Sequence, residues 1–337
     1  MLELTKIRVG ISVGDPNGIG FEIILKTFQD EQIYDFFIPI VFAHPQNLID
    51  EQKNLGISVN ICSLKDLNKP NEGQLNVISC WQEAFSVKYG YECSEAGSFA
   101  ISSLKSATQA LKNGAIDILV TAPIHKKNIQ SEAFKFPGHT DYLNQELEGE
   151  SLMFMITDKL KVALVSDHIP LSAITTYLTP ETIEKKIFLL EQSLIQDFGI
   201  KKPKIAVLGI NPHTGDNGVI GQEDDTLLRP LIQKQINEGK MIFGPFAADG
   251  FFGNKTYHEY DAVLAMYHDQ GMIPFKTLSF GEGVNFTAGL NYIRTSPDHG
   301  TAMSIAGKGE ANPSSFYHAI NQARLIFLKR RKFKKLK

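Results

Sequence analysis

The sequence predicts an α/β protein in which helices cover a mostly parallel sheet. Two observations carry that expectation. Short apolar runs alternate with longer segments of helical period, the pattern of strands buried on both faces and of the helices that bury them. Three histidines, His168, His213 and His268, each stand within a few residues of the end of such a run. Open α/β sheets bind their ligands beyond the carboxyl ends of their strands. With 337 residues, 43% of them hydrophobic and 21% charged, the chain has globular composition and enough length for one large core or two smaller ones.

The runs that read as strands are residues 7–13, 37–42, 116–121, 152–157, 162–166, 204–210 and 262–267. Among the helices, Thr179-Pro180-Glu181 puts a capping side chain before a proline at the first helical position. Ile183, Ile187, Leu190 and Leu194 then follow on one stripe. Residues 96–112 and 314–328 have the same period, and the chain has neither an internal repeat nor a low-complexity linker.

Composition narrows the class. Cys62, Cys80 and Cys93 are odd in number and form no CxxC pair, which argues against a disulfide framework or a thiolate zinc site and for a reducing cytoplasm. Glu3, Lys6 and Arg8 interrupt what would be the apolar core of a signal peptide, and no apolar run is long enough to span a bilayer. A cytoplasmic protein without a membrane partner is expected. The net charge is −3, yet residues 329–337 hold seven basic side chains and no acidic one, leaving the rest of the chain at −10. Phosphate contacts need a basic surface, so nucleic acid is not an expected partner, and the tail reads as a solvated helix end.

Several segments carry chemistry. Neutral imidazole is the commonest protein metal ligand, and three such ligands with one open position describe a catalytic divalent-metal site. His168, His213 and His268 are candidates for such a set or, alternatively, hydrogen-bonded loop residues, with Asp167, Asp216 and Asp269 near enough in sequence to orient the rings or to lie solvated. The first strand runs into Gly14-Asp15-Pro16-Asn17-Gly18-Ile19-Gly20 and a helix near Phe21, a turn that allows close backbone approach to an anionic or flat ligand. It is not the GxGxxG fingerprint. Gly10-Ile11-Ser12-Val13-Gly14 matches GxSxG, but Ser12 would lie inside the strand rather than on a sharp turn. In Phe136-Pro137-Gly138-His139-Thr140-Asp141, Thr140 or Asp141 reads as a helix N-cap and His139 as a substrate contact. Lys276, Asn285 and Arg294, in the Gly-rich stretch after His268, offer two cations and an amide to a substrate bearing phosphate and carboxylate. His299-Gly300-Thr301-Ala302, followed by Ile305 to Gly309 and Ala311-Asn312-Pro313, is rich in small residues that let backbone approach a flat ring such as adenine.

Taken in order, TAPIHK, PGHTD, SDHIPL, NPHTGD, AVLAMYHDQG, GVNFTAGL, IRTSPDHGTA and IAGKG resemble the 4-hydroxythreonine-4-phosphate dehydrogenase (PdxA) family over nearly the whole chain. The HGTA and IAGKGEANP segments and the GIG turn are also similar to the isocitrate and isopropylmalate dehydrogenase superfold. The resemblance implies two domains with the active site in the cleft between them. Residues 1–130 plus 280–337 would form the cofactor-binding domain, and 131–279 the substrate, metal and dimerisation domain.

It implies NAD bound by Gly18, Gly20, His299, Gly300, Thr301, Ala302 and Asn312. Substrate would be bound by His139, Thr140, Lys276, Asn285 and Arg294, with Lys276 and His139 as candidate catalytic groups. One divalent ion, zinc, magnesium, cobalt or manganese, would be held by His168, His213 and His268 across a homodimer interface. The implied reaction is oxidation of 4-phosphooxy-L-threonine at C3, followed by decarboxylation to 3-amino-2-oxopropyl phosphate in pyridoxal 5'-phosphate (vitamin B6) synthesis. Paralogues resembling the family act on D-threonate or D-erythronate 4-phosphate, and a metal-dependent phosphatase could use the same histidines and cations without needing the HGTA loop. No arginine cluster stands near that loop to receive a 2′-phosphate, which favours NAD over NADP. The chain departs from the family pattern at Phe21, where a proline often follows the GIG turn, and in its lysine-rich tail.

Overall fold

The computed structural model describes residues 6–132, 134–136 and 138–336, so Glu3, Pro137 and Lys337 lie outside the described residues. In chain order the regular elements begin with β1 (Ile7–Ser12), α1 (Gly20–Phe28), β2 (Phe37–Phe42), α2 (Pro45–Leu55), β3 (Ile61–Leu64), β4 (Leu75–Ile78), α3 (Ser94–Lys112), β5 (Ile118–Thr121) and α4 (His139–Glu146). There follow β6 (Gly149–Ile156), β7 (Lys161–Leu164), α5 (Ile174–Tyr177), α6 (Pro180–Gln196), β8 (Ile205–Leu208), α7 (Arg229–Asn237), β9 (Ile242–Phe246) and α8 (Ala248–Gly253). Last come β10 (Ala262–Ala265), α9 (His268–Ser279), β11 (Val284–Leu290), β12 (Arg294–Pro297) and α10 (Ser314–Leu336). They form two compact units, Met1–Gly149 with Leu290–Phe327, and Glu150–Gly289 with Leu328–Lys337.

In the first unit the strands lie in the order β3-β4-β2-β1-β5-β12, every neighbouring pair parallel. Parallel strands buried on both faces should be largely apolar, and β2 is wholly so, while β1 departs at Arg8 and Ser12 and β5 at Thr121. Helix α3 lies on them because Ala100, Leu104, Ala107 and Leu111 recur at helical spacing and bury against Ile40, Phe42 and Leu119. Each such leucine contributes about 1.5–3 kcal/mol of transfer free energy.

The second unit carries β6-β7-β10-β8-β9, with β11 beyond β6. β6 and β7 are antiparallel, and β10 pairs in parallel with β7 and β8. Its core gathers Val162, Leu164, Ala206, Leu208, Val263 and Phe275. Helix α6 is as expected: the Thr182 N–H donates to Thr179 Oγ1 at 3.2 Å, Pro180 opens the helix, and Ile183, Ile187, Leu190 and Leu194 are all fully buried.

All seven expected strands are present: β2 keeps its expected bounds, β6 and β7 begin earlier than expected and end sooner, and the other four are shortened. β3, β4, β9, β11 and β12 escaped the apolar pattern. β12 shows why: Arg294-Thr295-Ser296-Pro297 is buried although mostly polar, and its polar atoms are satisfied by partners distant in sequence, such as Thr295 Oγ1 donating to the Ala319 carbonyl at 2.8 Å.

Two expectations need correction. Helix α4 starts at His139 after Gly138 with no side-chain cap, so Thr140 and Asp141 sit in its first turn, where Asp141 still complements the helix dipole. Lys276, Asn285 and Arg294, in the stretch after His268, stand on α9, β11 and β12. The basic tail is helical to Leu336, and Arg330 is buried in an ion pair with buried Asp197 instead of being solvated. Ser12 does end a strand, buried. The three cysteines are free, and burial pushes the Cys80 thiol up to about 11, far from a nucleophile's range. Among the described residues no helix is long and apolar enough to cross a membrane.

Candidate active site

In the first unit the glycine turn after β1 meets the loop after β12. A Cβ on Gly20 would lie 2.1 Å from the Val13 carbonyl oxygen, and one on Gly18 would lie 2.8 Å from that of Thr301. Without side chains, the Ile19 N–H reaches the Thr301 carbonyl at 3.1 Å. Helix α1 fastens the far end of the same loop. Lys26 Nζ donates to the Gly309 and Ala311 carbonyls at 2.8 Å each, and buried Glu22 accepts from Lys26 and from the Ala311 N–H, again at 2.8 Å.

The structure thus brings Gly18 and Ile19 against Thr301, in the loop that also carries His299, Gly300 and Ala302, while Gly20 packs against Val13 in the same turn. Asn312 follows the clamp, but its Oδ1 already accepts the Ser314 N–H at 2.9 Å, at the start of α10. Sequence reading missed the polar groups that rigidify the turn. Asp15, fully buried, accepts from the Asn17 N–H and Asn128 Nδ2 at 3.0 Å each, and desolvation raises its pKa against those bonds. Asn17 ties the turn to residues 88–91, accepting from the Lys88 N–H and donating to the Tyr91 carbonyl at 2.8 Å each.

The same unit holds a buried cation. Arg294, 2% exposed, donates from Nη2 and Nε to Thr121 Oγ1 at the end of β5, at 2.6 and 3.2 Å. Burial lowers its pKa to about 9, still leaving it charged at neutral pH. His139, at the start of α4, has Nε2 buried without a hydrogen-bond partner. Desolvation, then the charges of Arg294 and Lys126, hold its pKa well below 6.5. A neutral imidazole beside two cations suits an anionic or hydroxyl-bearing ligand, and an orphaned buried nitrogen is a cost that a ligand would relieve. Thr121 and Lys126 were not anticipated as part of this group. The signal was there in TAPIHK, at the end of an apolar run.

In the second unit His168 and His268 face each other with ring centroids 5.6 Å apart and planes inclined at 38°. They line a cavity of about 220 Å³ with Ser166, Asp167, Leu171 and Asp269. Asp269 Oδ1 lies 2.7 Å from His268 Nδ1, which directs Nε2 to any metal. Asp167 instead accepts from the backbone N–H of His168 at 2.8 Å, and the Asp216 backbone N–H donates to the His213 carbonyl at 3.2 Å.

Among the described residues no three His, Cys, Asp or Glu side chains are grouped as a metal would require, so His213, exposed on the loop after β8, does not join the pair. The donor chemistry of two imidazoles, one carboxylate-oriented, fits part of a divalent-metal site and leaves the third donor to be supplied. Also in this unit, Lys276 is exposed on α9, and Asn285 on β11 has Oδ1 buried without a partner. The five expected substrate residues therefore divide, with His139, Thr140 and Arg294 in the first unit and Lys276 and Asn285 in the second.

Comparison with known proteins identifies the family. The profile of the family "Pyridoxal phosphate biosynthetic protein PdxA" matches residues 35–323. A 4-hydroxythreonine-4-phosphate dehydrogenase from Bacteroides thetaiotaomicron is 43% identical over 99% of this chain and 92% of its own length. The crystal structure of the Klebsiella pneumoniae enzyme of that name superposes with a TM-score of 0.82 at 32% identity, over 96% of this chain and 98% of that one. An isocitrate dehydrogenase from Methylococcus capsulatus, 13% identical with a TM-score of 0.50 over 98% of this chain and 89% of that one, shares the fold alone. The chain belongs to the PdxA family of pyridoxal phosphate biosynthetic proteins.

Proposed function

We propose that this protein oxidises 4-phosphooxy-L-threonine at C3 with NAD, and that the resulting β-keto acid loses carbon dioxide to give 3-amino-2-oxopropyl phosphate for pyridoxal phosphate synthesis. The observation that carries the reading is the union of the Gly18–Gly20 turn with the Thr301 loop, since a hydrolase using the same histidines would need no such nucleotide cradle. The matched relatives, named 4-hydroxythreonine-4-phosphate dehydrogenase, support the substrate. In this reading the first unit is the cofactor unit and the second contributes the metal ligands.

When bound, NAD supplies the hydride acceptor, and a divalent ion supplies positive charge beside the substrate oxygens. The rest of the work falls to side chains. Arg294, buried and fixed by Thr121, holds an anionic group of the substrate in one orientation. His139, kept neutral, presents Nε2 as a hydrogen-bond acceptor or as a proton carrier for the hydroxyl that is oxidised. Asn285 Oδ1 accepts from a substrate donor, and Lys276 anchors phosphate or returns a proton after decarboxylation. His168 and His268 would hold the metal together with a His213 supplied by a second copy of the chain, in a two-fold dimer with two equivalent sites. Exposed Ile273, Val219 and Leu171 and the apolar groove of about 490 Å³ between α8 and α9 support an interface on this unit.

The test follows NADH absorbance with 4-phosphooxy-L-threonine, NAD and added zinc, magnesium, cobalt or manganese. Metal-dependent NADH production is expected, and none with any four-carbon phosphate would overturn the reading. For the shared site, mixing inactive His168→Ala chains with inactive His213→Ala chains should restore activity. No recovery despite demonstrated subunit exchange would place those ligands in one chain.

A further inference from the structure

The loop that carries His213 holds an unusual backbone. His213, Thr214, Asp216 and Asn217 have φ of 51°, 54°, 44° and 56°, and none of them is glycine. Such conformations persist only where the surroundings over-determine them. What surrounds this loop is Asp224. Its carboxylate is fully buried, with Oδ1 accepting from the Ile210 N–H at 2.8 Å and Oδ2 from the Asn211 N–H at 2.9 Å and Asn211 Nδ2 at 3.1 Å.

Asn211 Nδ2 also reaches Glu223 Oε2 at 2.8 Å, and Arg229, bound to Asp225, donates to Thr214 Oγ1 at 3.0 Å. Asp224 and Asp225 lie on a π-helical turn, Asp224–Leu228, that follows Glu223 and runs directly into α7. On the other side Gln270, two residues after His268, donates to the Gly209 carbonyl at 2.6 Å and accepts the Met266 N–H at 2.7 Å. The path from β8 to His213 is therefore gripped at residues 209, 210 and 211, and again at 214 just beyond the histidine.

We infer that Asp224 is a positioning residue for His213, spending its buried carboxylate on the two peptide N–H groups that aim the strained loop, so that metal capture through His213 depends on it. The inference rests on the reading of His213 as a metal ligand. A carboxylate accepts at both oxygens, whereas an amide at the same place turns a donor toward one of those N–H groups, so Asp224→Asn breaks part of the grip at constant volume. Asn211→Ala removes one donor from the same carboxylate and gives a second way to loosen the loop.

The experiment titrates cobalt(II) alone into the purified wild-type, Asp224→Asn, Asn211→Ala, His213→Ala and His213→Ala/Asp224→Asn proteins. It reads affinity by calorimetry and imidazole ligation by the visible cobalt spectrum, with circular dichroism of the metal-free proteins as the folding control. Asp224→Asn should weaken binding about 10–100-fold and alter the spectrum, as loss of an outer partner of a metal ligand does. Asn211→Ala should do so less. The double variant should bind no more weakly than His213→Ala, because a residue acting only through His213 has nothing left to act on.

Asp224→Asn affinity within about twofold of wild type, or additive losses in the double variant, would overturn the inference while leaving the metal site standing. Unchanged binding in His213→Ala would overturn the ligand assignment and the inference with it. Should Asp224→Asn fail to fold, Asn211→Ala alone and combined with His213→Ala completes the same cycle.

Discussion

Asp197→Ala should destabilise the second unit by about 3–5 kcal/mol, the cost of breaking a buried ion pair by removing one partner. Asp197 has no exposed side-chain surface and Arg330 only 9%. The carboxylate accepts from Arg330 Nε, from Arg330 Nη2 at 3.2 Å and from Ser193 Oγ at 2.8 Å, all three donors being away from solvent. Without it the guanidinium keeps its desolvation cost and loses its carboxylate, and the Ser193 hydroxyl loses its acceptor. For a unit of this size each kcal/mol moves the midpoint by about 2–4 °C, so the transition that includes this unit should fall by about 6–20 °C.

The assay is differential scanning calorimetry at neutral pH, with Asp197→Leu/Arg330→Met as the control. Replacing both charges with apolar groups should recover much of the lost stability, because neither ion then pays for dehydration. Deletion of the residues after Lys329 should mimic Asp197→Ala, since it strands the carboxylate instead. A midpoint shift below about 2 °C in Asp197→Ala, or a double variant as unstable as the single one, would refute the reasoning that this pair fastens the tail.

Two further outcomes follow from the site. His139 is neutral in the folded protein, because burial and then the cations Arg294 and Lys126 lower its pKa well below 6.5. The unfolded chain therefore takes up the extra proton, so stability is full above about pH 6.5 and falls by up to about 1.4 kcal/mol per pH unit below it. Urea melts of His139→Gln should show a shallower acid loss, and an identical slope would contradict a buried neutral imidazole. Gly18→Ala places a Cβ 2.8 Å from the Thr301 carbonyl and should break the Ile19 to Thr301 hydrogen bond, costing about 1 kcal/mol and raising the KM for NAD roughly fivefold. A raised KM for the phosphorylated substrate with NAD unaffected would move this turn out of the cofactor site.

What could be read along the chain was whatever depends on local period and local chemistry. Ile183, Ile187, Leu190 and Leu194 announce α6 because one face of a helix must be apolar whatever it packs against, and Thr179-Pro180 announces its start because the first helical N–H groups need an acceptor or a proline. β12 could not be read this way, since Arg294, Thr295 and Ser296 are buried only because distant groups such as Thr121 and Ala319 satisfy them. The cap expected at Thr140 failed for a related reason: Gly138 begins α4, and no side chain caps it.

The sequence by itself determined the α/β class, the strand-end placement of His168, His213 and His268, and the family, all of which rest on residue types in a fixed order. Only the tertiary structure decided which of those residues meet. It joined the Gly18–Gly20 turn to Thr301 and set His168 against His268 at 5.6 Å. It left His213 on a loop gripped by Asp224, and buried Arg330 against Asp197 where a charge run suggested solvent. The physical reason is common to these cases. Periodicity reports the face an element turns to the core, whereas a buried polar group is stable only beside its partner, and the partner is chosen by how the chain packs rather than by its neighbours in sequence.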